Sequence, residues 1–124
     1  MVLIDSNVVL RFLLKDNPNQ ANQAAAIIHN GAAVTVDIVA EVVYVLNGLY
    51  QIPRDKIRDA FSVLLQELHA DEKEMILFAL ELFAQKKLDF ADCMLAARAC
   101  VQGVEVFSFD KKLMKTIGGG RSER

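Results

Sequence analysis

Short apolar runs alternate with longer helix-type segments along this chain, and this alternation constrains the fold more than any other feature. Three runs rich in β-branched or aromatic residues, at residues 2–5, 33–36 and 104–109, predict short buried strands. Strands that are separated by helices pair in parallel and carry helices on the faces of the sheet. The sequence therefore predicts an α/β fold with three layers, α/β/α, around a central parallel sheet.

The segments between these runs have the apolar spacing of helices. They predict helices at residues 7–14, 18–30, 37–50, 53–68, 72–86, 89–101 and 110–116. With 124 residues, 53% of them hydrophobic, the chain can bury one core, and no repeat or linker indicates a second domain. We predict a single domain over residues 1–117 and a loose glycine-rich tail over residues 118–124.

Four carboxylates stand where an apolar run meets a helix-type pattern: Asp5, Glu41, Asp92 and Asp110. Asp5 and Asp110 each end a predicted strand, whereas Glu41 and Asp92 lie about one turn into a predicted helix. Because functional sites in parallel sheets lie outside the carboxyl ends of the strands, we expect these side chains to share one crevice. An isolated carboxylate in apolar surroundings is costly, but divalent cations can offset several that converge. The pattern therefore predicts a hydrolytic metal site.

Each acid taken alone also has a structural explanation. Asp5 fits a turn at the end of a strand, Asp110 fits a helix cap, and Asp92 fits a first-turn acid near the positive end of a helix. Glu41 resists such an explanation because it interrupts a valine-rich helix. Asp89 is expected chiefly to cap the helix that follows it, with a secondary role near the metal as the alternative.

The formal net charge of −2 does not by itself indicate a nucleic-acid partner. Removing the four focal acids from the 16 acidic residues leaves 12 against 14 basic ones, so the rest of the chain is slightly basic. Basic side chains recur at residues 54–58, 86–87 and 111–115. Each cluster is compatible with an ordinary solvated helix face or with contacts to an anionic partner.

The two cysteines and the hydropathy pattern bear on location. Cys93 and Cys100 are seven residues apart on one predicted helix, which is too far for a disulfide, and no nearby histidine completes a zinc pattern. No apolar run reaches the roughly 20 residues that span a bilayer, and the N-terminus lacks a signal-peptide pattern. We therefore expect a cytoplasmic protein with reduced thiols and no membrane partner.

Four segments in this order resemble the PIN-domain family, in particular its small VapC-like ribonuclease toxins. They are I-D-S-N-V-V-L-R at residues 4–11, A-E-V-V-Y-V-L at 40–46, D-F-A-D-C-M-L-A-A-R-A at 89–99 and F-S-F-D-K-K-L at 107–113. Cys93 stands where the family usually has alanine, and Ser108 where it has threonine. The resemblance extends over nearly the whole chain apart from the glycine-rich tail.

The resemblance implies cleavage of RNA phosphodiester bonds with Mg²⁺ or Mn²⁺ as cofactor. The acidic quartet of the family falls on Asp5, Glu41, Asp92 and Asp110. Supporting positions around the quartet fall on Ser6, Asn7, Asp89 and Ser108. Within this set Asn7 would brace Asp5 or a water molecule. The physical argument from the four acids agrees, because phosphodiester hydrolysis needs an activated water and charge stabilisation that a divalent cation supplies.

Three classes of function remain open: a ribonuclease toxin that a cognate antitoxin neutralises, a non-toxin nuclease of RNA processing, and a catalytically silent nucleic-acid-binding protein. The presence of all four acids disfavours the third class. Apolar positions on the predicted helices 18–30 and 53–68 exceed what a thin sheet needs, which predicts a homodimer and a groove for an antitoxin helix. These positions are Ala24, Ala25, Ile27, Ile28, Ile57, Phe61, Leu64, Leu65 and Leu68.

Overall fold

The sheet of this protein is small and parallel. In the computed structural model, which describes the backbone of residues 1–123 and the side chains of residues 1–120, β1 (Val2–Leu3) pairs with β2 (Ala32–Ala33). An isolated parallel bridge joins β2 to His69, whose backbone N–H donates to the Ala32 carbonyl at 2.9 Å. The predicted parallel pairing is confirmed for these residues, and the three-layer arrangement stays a prediction.

Seven α-helices and one π-helix make up most of the described residues. The α-helices are α1 (Ser6–Leu14), α2 (Pro18–His29), α3 (Val36–Tyr44), α4 (Arg54–Leu64), α5 (Lys73–Gln85), α6 (Phe90–Gln102) and α7 (Lys111–Glu123). The π-helix, Val45–Leu49, continues directly from α3. Every helix that the apolar spacing predicts is present, with its ends displaced by a few residues except at the last helix. Within the described residues, no helix is both long and apolar enough to cross a bilayer.

Several helices begin and end at residues whose chemistry explains the boundary. Asp5 caps α1 by accepting a hydrogen bond from the Val8 N–H at 3.0 Å. Asn17 caps α2 in the same way, through Gln20 N–H at 3.1 Å. Gly103 ends α6 at a φ of 69°, a left-handed conformation that glycine adopts without the cost a side chain brings. Local side-chain chemistry thus sets these boundaries.

The core is built mainly by helices that pack on one another. α5 packs against α4 and α6, α1 packs against α2 and α3, and α7 packs against α6. No charged or polar residue is buried within the described part of the chain. Burial of apolar side chains at about 25 cal/mol per Å² is therefore the main source of stability, and charged groups lie at its margin.

The apolar positions that predicted an interface lie mostly inside the monomer. All five apolar residues named on the helix after Pro53, from Ile57 to Leu68, are at most 2% exposed. On α2, Ala24 and Ile28 are 3% and 1% exposed, and only their neighbours reach intermediate burial. The prediction of surplus apolar surface on these helices is wrong, because their apolar sides are buried in the core. α4 packs on α5, and α2 packs on α1.

Residues 104–109 form no strand within the described chain, so the third predicted strand is wrong. The Val104 N–H donates to the Arg98 carbonyl at 3.3 Å, which ties the start of this segment to the end of α6. Phe107 and Phe109 are 77% and 91% exposed, and their rings meet edge to face at 5.0 Å. The apolar content favours a strand, but a strand also requires a neighbouring strand to pair with. This segment is bonded at its start to the end of α6 and does not reach the sheet.

The last helix is longer than predicted. Spacing predicts a helix that ends at residue 116 and a loose tail from residue 118, whereas α7 continues through Glu123. Gly120 is buried, and a Cβ placed there would lie 2.7 Å from Cys100 Sγ, so the missing side chain allows α7 to approach α6 closely. The expectation of a loose tail is therefore corrected, and its final residue, Arg124, lies outside the described residues.

Candidate active site

The sequence predicts Asp5 at the end of a strand, and in the structure only Ile4 separates it from Leu3, the last residue of β1. The backbone N–H of Ile4 donates to the Ala33 carbonyl at 3.0 Å, which fixes the strand end that precedes it. The Asp5 side chain is exposed and its Oδ1 caps α1. A carboxylate has acceptor capacity on both oxygens, so this single hydrogen bond is compatible with a cation ligand as well. Ser6 is half-buried and Asn7 is exposed in the first turn of α1.

Glu41 lies on α3 with its side chain at the surface. Its neighbours Val39, Val42 and Val43 are at most 1% exposed, whereas Glu41 itself is exposed. A helix turns by about 100° per residue, so one polar position in a valine-rich stretch can face solvent while the others face the core. The premise that this charge sits in apolar surroundings is therefore wrong, although its place on the second helical turn agrees with the sequence.

Asp89 and Asp92 lie at the start of α6. Asp92 is half-buried and Asp89 is exposed. Asp89 occupies the N-cap position but makes no side-chain capping hydrogen bond; instead, its backbone carbonyl accepts from Cys93 N–H at 3.0 Å. The expected position of Asp89 is confirmed, and the capping hydrogen bond expected from its side chain is not formed.

Asp110 precedes α7 and is held by two hydrogen bonds. Its backbone N–H donates to Ser108 Oγ at 3.0 Å, and its Oδ1 accepts from the Leu113 N–H at 2.9 Å. Ser108 thus holds the backbone of Asp110 in place, and its supporting role at the site stays a prediction. The Asp110 side chain itself is exposed.

Within residues 1–120, whose side chains are described, no three His, Cys, Asp or Glu side chains are placed to hold one metal ion. The helices that carry the first three acids do pack together, since α3 contacts both α1 and α6. Asp110 follows residues 104–109, which are not part of the sheet. The sheet therefore does not bring Asp110 close to Asp5. The donor chemistry nevertheless fits Mg²⁺ or Mn²⁺, because all four positions offer accessible carboxylate oxygens, which hard cations prefer.

Cys93 lies next to Asp92 but is unsuited to bind a metal. It is fully buried, and burial raises the pKa of its thiol to about 12. A cysteine ligand must lose its proton, and this thiol keeps it at neutral pH. Cys93 therefore fills the core as the small side chain of an alanine would, and no disulfide joins it to Cys100.

A cavity of about 420 Å³ lies beside Asp89, between the π-helix and the start of α6. Its lining includes Tyr44, Asn47 and Arg54, none of which we predicted as site residues. Arg54 Nη1 donates to the carbonyls at residues 83, 86 and 88, and its guanidinium lies 4.0 Å from the centroid of the Phe83 ring. The sequence feature that could have indicated this cavity is the pair Asn47-Gly48, which falls inside a predicted helix. In the structure these two residues belong to the π-helix. π-helical turns are frequent at functional sites.

Comparison with known proteins supports the resemblance at the level of the family. The family model of the PIN domain matches residues 2–119. No curated protein and no solved structure matches the chain. Because the family model covers nearly the whole sequence, this chain belongs to the PIN-domain family, a family of nucleases.

Proposed function

We propose that this protein is a Mg²⁺- or Mn²⁺-dependent endoribonuclease that hydrolyses RNA phosphodiester bonds. The observation that carries the proposal is the position of the four acids in a PIN domain. Asp5 and Asp110 cap helices, and Glu41 and Asp92 lie within the first two turns of theirs, each with a solvent-accessible side chain. Helix starts favour negative charge, so carboxylates at these positions can remain accessible to a cation.

The residues would divide the work as follows. Asp5, Glu41, Asp92 and Asp110 would hold the cation, which supplies a nucleophilic water near neutral pH and charge stabilisation in the transition state. Ser108 keeps Asp110 in place through its hydrogen bond to the Asp110 N–H. Ser6, Asn7 and Asp89 lie next to quartet members and would orient them or the attacking water.

The test is cleavage of a 5′-labelled single-stranded RNA by purified protein with Mg²⁺ or Mn²⁺ and with EDTA. We expect products with the metal, no products with EDTA, and loss of activity in Asp92→Asn. Asp55→Asn is the matched control, since Asp55 is an exposed acid in the first turn of α4, outside the quartet. Equal cleavage by Asp92→Asn, or cleavage that EDTA leaves unchanged, would overturn the proposal. RNA binding without any cleavage would favour the catalytically silent alternative.

The biological role we propose is that of a toxin neutralised by an antitoxin, with a homodimer as the working species. The sequence resemblance to VapC-like toxins supports this role. Expression should arrest growth, and both Asp92→Asn and co-expression of a small protein encoded beside this one should relieve the arrest. Growth without arrest despite RNA cleavage in vitro would favour the alternative role in RNA processing. A strictly monomeric species at micromolar concentration would refute the dimer.

A further inference from the structure

The structure distinguishes among three basic clusters that the sequence leaves equivalent. The cluster at residues 54–58 is engaged within the fold. Arg54 is bound to three backbone carbonyls, and Arg58 pairs with Asp59 at 3.1 Å and Glu81 at 3.4 Å. The hydrogen bond that Arg58 Nε donates to Asp59 Oδ1 raises the pKa of Arg58, as expected for a guanidinium with an acidic partner. These charges are largely compensated and leave little field for an external anion.

The other two clusters merge into one surface. Lys112 Nζ donates to the Lys87 carbonyl at 2.7 Å, which joins the start of α7 to the turn between α5 and α6. Lys86, Lys112 and Lys115 line one cavity of about 370 Å³. Lys111 completes the group, and all five lysines are exposed. We call this group, Lys86, Lys87, Lys111, Lys112 and Lys115, the lysine face.

The lysine face is unfavourable for the protein on its own. Lys111, Lys112 and Lys115 occupy the first two turns of α7, where the positive end of the helix dipole disfavours cations. The first turn contains no acid, so the carboxylate of Asp110, which caps the helix, stands against three lysines. Lys111 and Lys115 are also like charges at i and i+4, which repel. A local sequence that opposes its own helix in this way is expected where function requires it.

The neighbours of the lysine face indicate what kind of anion it binds. Asp110 of the proposed catalytic quartet directly precedes Lys111, and Asp89 lies two residues after Lys87. On the other side of Asp110, Phe107 and Phe109 expose their rings to solvent. Positive charge that follows a backbone, combined with exposed aromatic rings on which bases stack, is the usual arrangement for binding single-stranded nucleic acid.

We propose that the lysine face binds the phosphate backbone of single-stranded RNA on one side of Asp110, while Phe107 and Phe109 stack on its bases. This proposal rests on the proposed function, because it assigns the substrate path at the same site. A lysine face alone would also suit an acidic peptide, but the two exposed phenylalanine rings beside Asp110 favour RNA. The segment 104–109 thereby has a role on the surface that a buried strand would not have.

The test measures RNA binding, not cleavage, in the Asp92→Asn background. Fluorescence anisotropy with a labelled single-stranded oligouridine is recorded across a range of KCl concentrations. Lys111→Gln/Lys115→Gln is the test pair, because both side chains are exposed and neither makes a hydrogen bond or ion pair within the described residues. Lys15→Gln/Lys56→Gln is the control pair, since both lysines are exposed and lie outside the lysine face.

Each lysine that neutralises one phosphate contributes about 0.7 to the salt slope of single-strand binding. The test pair should therefore reduce the slope of log K against log[KCl] by about 1.4. If the RNA affinities of the parent protein and of the variant with the test pair become equal at about 1 M salt, the variant binds RNA roughly 25-fold more weakly at about 0.1 M. Phe109→Ala should weaken binding about fivefold or more at every salt concentration, without changing the slope.

The proposal would be overturned if the test pair, like the control pair, left the slope of log K against log[KCl] unchanged. Binding of polyglutamate that competes fully with RNA, together with no effect of Phe109→Ala, would overturn it in favour of an acidic protein partner. The two proposals fail separately. A protein that cleaves RNA but shows no slope change refutes only the lysine face, and a protein that binds through these lysines without cleaving refutes only the nuclease. Melting temperatures of the lysine variants that are no lower than that of the parent protein confirm that they fold.

Discussion

Replacement of Asp5 by asparagine should abolish RNA cleavage and leave stability nearly unchanged. Asp5 Oδ1 accepts the Val8 N–H at 3.0 Å and caps α1. Asparagine caps a helix about as well as aspartate, so the free energy of unfolding should change by less than about 0.5 kcal/mol. Alanine at the same position removes the cap and should cost about 1 kcal/mol. The pair of variants thus separates the charge of Asp5 from its structural role.

The cost of the alanine variant converts into a measurable shift. At about 2.1 cal/mol/K per residue, the 124 residues give an unfolding entropy of about 0.26 kcal/mol/K. A loss of about 1 kcal/mol therefore lowers the melting temperature by about 4 °C, whereas Asp5→Asn should shift it by less than about 2 °C. Differential scanning fluorimetry resolves these two values.

The same two variants are assayed for RNA cleavage by initial rates with saturating Mn²⁺. Both should lose at least about 100-fold in rate, which corresponds to roughly 2.7 kcal/mol of transition-state stabilisation. The reasoning predicts equal losses of activity with unequal losses of stability. A folded Asp5→Asn protein that cleaves RNA at the wild-type rate would refute the assignment of Asp5. A parallel loss of activity and stability in both variants would show that Asp5 acts mainly through α1.

Other predictions follow from the surroundings of α6. Asp89→Asn should keep most of the activity, because Asp89 sits at the N-cap outside the quartet, and a loss as severe as that of Asp92→Asn would show that it binds the metal. The hydrogen bond from Arg98 at 2.6 Å, supported by a second from a neighbouring glutamine, lowers the pKa of Glu72 below its ordinary value of 4.5. A depressed folded-state pKa stabilises the protein above pH 4.5, and this stabilisation is lost as pH falls through the folded value. Urea denaturation of wild type and Glu72→Gln should therefore differ at pH 7 and converge in acid; a constant difference would contradict this coupling. Cys93, with its raised pKa of about 12, should resist alkylation by iodoacetamide at pH 8 until the protein unfolds, and mass spectrometry that finds rapid native labelling would contradict its burial.

Local chemistry explains which parts of the fold could be predicted from sequence. The helices follow from apolar spacing, and their starts follow from capping side chains such as Asp5, Asn17 and Asp110, each of which contacts a backbone N–H three residues ahead. The segment 104–109 could not be assigned in this way. Its residues favour a strand, but strand formation depends on a partner edge that spacing along the chain does not reveal.

The candidate site likewise has features that the sequence predicts and features that it does not. The predicted positions of Glu41 and Asp92 within the first two turns of a helix agree with the structure, whereas the strand predicted before Asp110 is absent from the described residues. The exposure of Glu41 could have been derived from helical geometry, because its valine neighbours occupy the buried face of α3. The contact between Lys112 and the Lys87 carbonyl depends on how distant helices pack, and so does the question of whether the four acids approach one another; no local pattern determines either. The same is true of Arg54, whose charge is bound by carbonyls near residue 86.

Direct Mn²⁺ binding tests the central claim, that four carboxylates from separate helices hold one catalytic metal site. Free Mn²⁺ is measured by electron paramagnetic resonance during titration of wild type, Asp5→Asn, Glu41→Gln, Asp92→Asn and Asp110→Asn. We expect saturable binding by the wild-type protein and a loss of at least about tenfold in affinity, or about 1.4 kcal/mol, in every variant. Wild-type affinity in all four variants, or no saturable binding by the wild type, would contradict a shared metal site.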